Sequence, residues 1–220
     1  MSESTAALRA DIEGLLGEEG FAGSFNGVVL VAKRNEILAE RAYGLADRSW
    51  AVPNRADTVF RYASITKFLT AVLVMRLVEE DLVDLGTALV SYLPDYRQDT
   101  GSRITVHHLL SHTSGLTHYP TAAPGFMLDA ARRPHDRREF ARVYCSGDLA
   151  SEPGERFGYS NDNYHLLGLV VEAVTGGTYE DALARRVLAP AGMTAAGFVR
   201  HETIVPQLAS GYEWADDHYT

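Results

Sequence analysis

Phe60 Arg61 Tyr62 Ala63 Ser64 Ile65 Thr66 Lys67 Phe68 Leu69 Thr70 sets a hydroxyl and an amine three residues apart, where an apolar run begins. Residues three apart on a helix share a face, so Lys67 can reach Ser64 and accept its proton without any histidine. The competing reading is a capped helix start, with Ser64 bonded to a backbone N–H and Lys67 a solvated charge. Against it, Phe68, Leu69, Ala71, Val72, Leu73, Val74, Met75, Leu77 and Val78 cover almost the whole helix circumference, which predicts a buried helix. Burial disfavours a charged amine, and the positive end of a helix dipole favours charge developing on Ser64 or on a bound oxyanion. Lys33 and Lys67 are the only two lysines, so the pairing is worth weighing as chemistry.

Composition narrows the function classes. The 220 residues are 46% hydrophobic and 22% charged, which is ordinary globular protein. The net charge is −9, with 29 acidic against 20 basic residues and no Lys/Arg block, so nucleic acid is not an expected partner. A single cysteine, Cys145, excludes an intrachain disulfide and a Cys-rich zinc site, and it is expected to be a small half-buried residue. The first residues lack the basic start and apolar stretch of a secretory signal, and no apolar run nears the roughly 20 residues of a membrane span. The expectation is a cytoplasmic chain with no membrane partner.

Along the chain, Leu8, Ile12, Leu15 and Leu16 recur at helical spacing up to Gly17. Residues 25–32 and 37–45 read as two strands around a polar turn, a hairpin, and Pro53 with Asn54 breaks the pattern. Residues 84–98 suggest a short helix ending at Pro94. Thr105 can cap a helix over residues 106–114, with Gly115 as its left-handed stop. Residues 119–134, rich in Ala, Pro and Gly, imply an irregular excursion, and residues 136–146 are helical again. Glu152 Pro153 Gly154 Glu155 makes a turn. A helix through Leu166 and Val170 ends at Gly176 and Gly177, and Thr178 caps one more that stops at Pro190.

Two further groups bear on chemistry. In Gly158 Tyr159 Ser160 Asn161, a phenol beside an ammonium can shuttle a proton and an amide can hold a carbonyl, although a buried tyrosine with a turn asparagine is the blander reading. His108 and His112, four apart on a helix, could grip zinc. The metalloprotease version needs a glutamate after the first histidine, and Leu109 stands there, so neither a metal nor another cofactor is expected.

Four landmarks together resemble the serine β-lactamases of class C, the DD-peptidases and their esterase and transacylase relatives. They are Ser64 Ile65 Thr66 Lys67; His108 Leu109 Leu110 Ser111 His112 Thr113 Ser114 Gly115 Leu116; Pro153 Gly154 Glu155 Arg156 Phe157 Gly158 Tyr159 Ser160 Asn161; and Pro190 Ala191 Gly192 Met193. The resemblance spans roughly residues 23–212. It implies that Ser64 is the acylated nucleophile, Lys67 its proton partner, Tyr159 a second acid/base, and that Asn161 contacts substrate or orders Lys67. Which of Lys67 and Tyr159 takes the serine proton is left open. The implied fold is α/β (α+β), β-lactamase/transpeptidase-like: an antiparallel sheet flanked by helices plus a mostly helical subdomain. Residues 1–220 are read as one such domain, with the helix, hairpin and nucleophile helix in residues 1–80, the helical subdomain in 81–158, and the Tyr-x-Asn loop with its following helices in 159–220.

The same resemblance implies a third motif, Lys or His followed by Thr, Ser or Gly and then Gly, on a strand that gives the oxyanion hole its second N–H. Residues 1–220 do not contain it, so the expectation is a partial domain whose C-terminal sheet strands are missing. Losing one such donor costs roughly 100- to 1,000-fold in rate. The first function expected is therefore serine hydrolysis or acyl transfer on a small-molecule ester or amide. The second is an incompetent partial domain that binds a ligand, or whose unfinished sheet takes a partner chain or self-associates.

Overall fold

A computed structural model describes residues 3–18, 23–116, 135–200, 202–215 and 218–219, and these fall into two compact units. The excursion expected over residues 119–134 lies outside the described residues. One unit comprises Met1–Tyr62 with Val199–Thr220, the other Ala63–Phe198.

The first unit is built from a helix and short antiparallel ladders. Strands β1 (Gly27–Lys33) and β2 (Glu36–Tyr43) form the expected hairpin, paired from Gly27↔Tyr43 to Lys33↔Glu36 with a register shift between Val31 and Ala32. Arg34, at the turn, takes a left-handed φ of 57°. The helix Glu3–Gly17 packs on β2. Of its four apolar positions only Leu16 is buried, while Leu8 and Leu15 are exposed. Gly44 follows with φ +69°, and a Cβ there would collide with the Asn26 side chain. That close approach lets Asn26 Oδ1 accept from Leu45 N (2.6 Å) and Asn54 Nδ2 (3.2 Å).

Beyond the two strands legible in the sequence, Leu45–Asp47 (β3) pairs with Val52–Pro53 (β4), and Trp214–Ala215 (β5) with His218–Tyr219 (β6). Pro53, expected to break the pattern, instead ends β4. Terminal strand positions tolerate a residue with no N–H to donate.

The second unit is helical. Its main helices are Thr66–Glu79, Arg137–Tyr144 and Asn161–Thr175. Asp136 and Ser160 cap the latter two, accepting from Glu139 N and Asp162 N respectively. Gly176 stops the last in the left-handed conformation, with φ 66°. Thr178 caps Tyr179–Leu183 through Asp181 N, and a π-helical turn over Ala184–Leu188 leads to Pro190. The core runs down the middle of Asn161–Thr175, where Leu166, Leu167, Val170 and Val171 are fully buried against Leu73, Val74 and Leu77 of Thr66–Glu79 and Ile104, Val106 and Leu109. Each such side chain contributes on the order of 1.5–3 kcal/mol.

Several local expectations change. The helix expected over residues 106–114 closes after Val106–Leu110, because His112 turns left-handed (φ 57°) before Gly115 does (φ 78°). Residues 84–98 hold only the single helical turn Leu89–Tyr92, followed by another at Gln98–Gly101. Cys145 is fully rather than half buried, and desolvation pushes its thiol well above the ordinary range. The Thr66–Glu79 helix is not buried all round: Thr70, Leu73, Val74 and Leu77 form its buried face, while Phe68 (68% exposed) and Met75 (44%) lie outside it.

Candidate active site

The chain enters the Thr66–Glu79 helix through a 3₁₀ turn, Ala63–Ile65, with Ala63 at φ 44°. A non-glycine residue in that region is strained, and the strain sits one residue before Ser64. No side chain caps this helix start, which disposes of the reading in which Ser64 serves as a cap. Its hydroxyl points elsewhere. Ser64 Oγ lies 2.9 Å from Tyr159 OH and accepts from Lys67 Nζ at 3.2 Å.

Lys67 Nζ also donates to Asn161 Oδ1 at 2.7 Å, and Tyr159 OH lies 3.3 Å from the same oxygen. All four residues singled out from the sequence are thus brought together, from segments 94 and 95 positions apart. Ser64 is exposed and Lys67 half-buried, so the burial argument made for a proton-accepting amine loses its premise. The amine is instead occupied as a donor to two oxygens. Hydrogen bonding from Lys67, and next from Ser64, holds the Tyr159 phenol below its ordinary titration range. The Lys67 ammonium also stands 4.9 Å from the centre of the Tyr159 ring.

Local sequence explains how the second pair is delivered. Glu152–Glu155 closes as a turn, with Glu155 N donating to Glu152 O at 3.0 Å and Gly154 at φ 88°. The chain then runs outside helix and strand through Tyr159 to the extended Ser160 cap, so Asn161 opens the next helix. At the far side of the nucleophile helix, Thr70 Oγ1 and Tyr179 OH are 2.7 Å apart, tying it to Tyr179–Leu183.

Sequence reasoning weighed His112 as half of a metal pair and as part of the 108–116 landmark, and the structure gives it a specific place. Its Nδ1 accepts from Ser160 N (3.1 Å) and lies 3.2 Å from Asn163 Nδ2, and its ring lies tilted against those of Tyr159 and Tyr164 at centroid distances of 4.7 and 5.1 Å. His108 is turned away to close a capping box with Thr105. Among the described residues, no group of three or more His, Cys, Asp and Glu side chains is placed to hold a metal ion. The only sequence signal for His112 was its place in the 108–116 landmark, because its partners lie about fifty positions away.

Comparisons with known proteins bear on the family and the fold. Residues 8–219 match the Beta-lactamase family. Over 186 residues the chain is 39% identical to Esterase EstB of Burkholderia gladioli, an alignment covering 80% of this chain and 47% of that protein. Among solved structures, EstCE1, described as a hydrolase with promiscuous acyltransferase activity, superposes with a TM-score of 0.81 at 27% identity, over 100% of this chain and 60% of that one. D-amino acid amidase from Ochrobactrum anthropi SV3 gives a TM-score of 0.78 at 30% identity, over 96% and 58%. The chain therefore spans about half the length of the curated relative it matches.

Proposed function

The chain belongs to the Beta-lactamase family, and from that premise we propose that it supplies the nucleophile and proton machinery of a serine hydrolase or acyltransferase acting on small esters or amides. The observation that carries this reading is the doubly bonded hydroxyl, with Ser64 Oγ held by both Tyr159 OH and Lys67 Nζ. Because Lys67 is engaged as a donor to Ser64 and Asn161, the proton acceptor assigned here is Tyr159, whose phenolate form Lys67 favours.

Ser64 Oγ forms a bond to the acyl carbon while its proton passes to the Tyr159 oxygen. As the tetrahedral intermediate collapses, the bond to the alcohol or amine leaving group breaks, and Tyr159 returns that proton to it. Water or another alcohol or amine then enters by the reverse path and releases the acyl group. The Ser64 N–H, in the turn that opens the nucleophile helix, is the donor assigned to the developing oxyanion. Asn161 fixes the Lys67 ammonium through its 2.7 Å bond. EstB is an esterase by name and the Ochrobactrum protein a D-amino acid amidase. Both leaving-group classes fit a proton relay that serves oxygen and nitrogen alike.

A fluorophosphonate probe followed by intact-mass analysis tests the reading. The wild-type chain should gain one phosphonyl adduct at Ser64, and Ser64→Ala should lower the labelling rate on the order of 10⁴-fold or more. Equal labelling of the two would remove Ser64 from the mechanism.

A further inference from the structure

His112 touches the two stretches that deliver Tyr159 and Asn161, residues 157–160 and the opening of the Asn161–Thr175 helix. Gly158 N donates to the His112 carbonyl oxygen at 2.8 Å and Ser160 N to its ring Nδ1 at 3.1 Å, so the residues on either side of Tyr159 are both fastened to this one histidine. The ring itself lies against the Tyr159 ring, with Tyr164 at 5.1 Å and Phe157 edge-on at 5.8 Å. The backbone reaches this position only by holding φ at 57°, a conformation that costs a non-glycine residue roughly 1–2 kcal/mol. A histidine serving merely as filler would have no reason to sit there.

Building on the reaction proposed above, we propose that His112 is the positioning residue of the site. Its neutral ring, Nδ1 unprotonated, holds Tyr159 and Asn161 against Ser64 and Lys67, and protonation of that ring releases them.

The chemistry follows from the donors. A backbone amide and the Asn163 side-chain amide both present hydrogens to Nδ1, and a protonated imidazole has no lone pair to receive either. Among the described residues, the titratable and charged groups facing the ring are Lys67 from the nucleophile helix, Tyr164 from the Asn161–Thr175 helix, and Tyr159 from the segment preceding that helix. A second cation beside Lys67 would be repelled as well as unbonded. Burial first, and then the Lys67 charge, push the ring's titration below the ordinary histidine value. The folded protein therefore binds this proton more weakly than the unfolded chain, the ring is neutral at neutral pH, and the release falls on the acid side.

The test measures the fluorophosphonate labelling rate of Ser64 across pH in the 220-residue chain for wild type, His112→Asn and His112→Phe, alongside thermal unfolding. Asn can place an acceptor oxygen near the Nδ1 position but cannot titrate. It should retain labelling at neutral pH within about tenfold and lose the extra acid fall due to His112, keeping only the shallower fall set by protonation of Tyr159. Phe keeps the stacking without the acceptor and should lose up to about 100-fold at neutral pH while still unfolding cooperatively. Wild-type labelling in His112→Phe, or an unchanged acid fall in His112→Asn, would overturn the assignment. Imidazole ¹⁵N NMR gives a readout independent of the reaction. It should show the Nε2–H tautomer titrating below an ordinary histidine, and an Nδ1–H tautomer would overturn the assignment. If the wild type takes no label, the proposed reaction fails and the tautomer decides the role of His112 alone.

Discussion

The two units solve the same problem with different materials. In Ala63–Phe198 the buried apolar side chains join into one continuous cluster around a central helix. In the unit of Met1–Tyr62 with Val199–Thr220, the buried apolar side chains among the described residues are Leu16, Leu38, Ala39 and Ala46, while Leu30, Ile37, Trp50 and Val52 are exposed. All four candidate site residues belong to Ala63–Phe198, and none to the ladder-built unit. A proton relay needs donors and acceptors held to a fraction of an ångström, and a close-packed helical core supplies that, whereas a ladder with exposed apolar side chains does not.

The sharpest way to break this comparison is to cut the core beneath the site. Leu166 has no exposed surface, so Leu166→Ala leaves a cavity and should cost about 2–5 kcal/mol in chemical denaturation. The matching change on the hairpin, Leu30→Ala, removes a side chain already 53% exposed and should stay within about 0.5 kcal/mol. Equal losses would mean that the two units do not differ in how apolar burial supports them.

Smaller in effect, Asn161→Ala separates the relay from the core that carries it. The substitution leaves Lys67 without its 2.7 Å acceptor, and a hydrogen bond to a charged group is worth about 1.5–3 kcal/mol. Ser64 labelling should slow by about 10- to 100-fold with little change in thermal midpoint. A large drop in midpoint with unaltered labelling per folded molecule would make Asn161 a structural helix opener rather than part of the relay.

The same contrast explains what could be read from the sequence. Ser64 and Lys67 lie one turn apart, and their pairing was legible because a helix converts that spacing into contact. The caps read at Thr105 and Thr178 are local interactions spanning three residues. β1 and β2 are joined by a tight turn and carry enough β-branched residues to declare themselves. By contrast, β5 and β6 are two residues long, too short for any periodicity, and Val59 bridges Leu208 across about 150 positions. His112 failed to declare itself for the same reason. Its partners become neighbours only once the core has folded. Phe68 and Met75 misled in the other direction, since an apolar residue type signals compatibility with burial but does not secure a partner to bury it.

The smallest effect tests what holds the ladder-built unit together where apolar burial is thin. Arg9 extends from the Glu3–Gly17 helix to β2, with Nη1 donating to Leu38 O at 2.7 Å and Nη2 to Ile37 O at 3.0 Å. Nη2 also meets Glu36 Oε1 at 3.1 Å, but that ion pair is solvent-exposed on both sides and contributes little. The two carbonyl bonds should dominate, because only a planar guanidinium can reach adjacent carbonyls together. Arg9→Ala should then cost about 1 kcal/mol, and Arg9→Lys, which keeps the charge and loses the fork, should recover less than half of it. Raising the salt concentration should leave the wild-type value nearly unchanged. If salt alone reproduced the loss, the helix would be held to β2 by charge, and the polar fastening inferred for this unit would have to be reassigned from the strand carbonyls to Glu36.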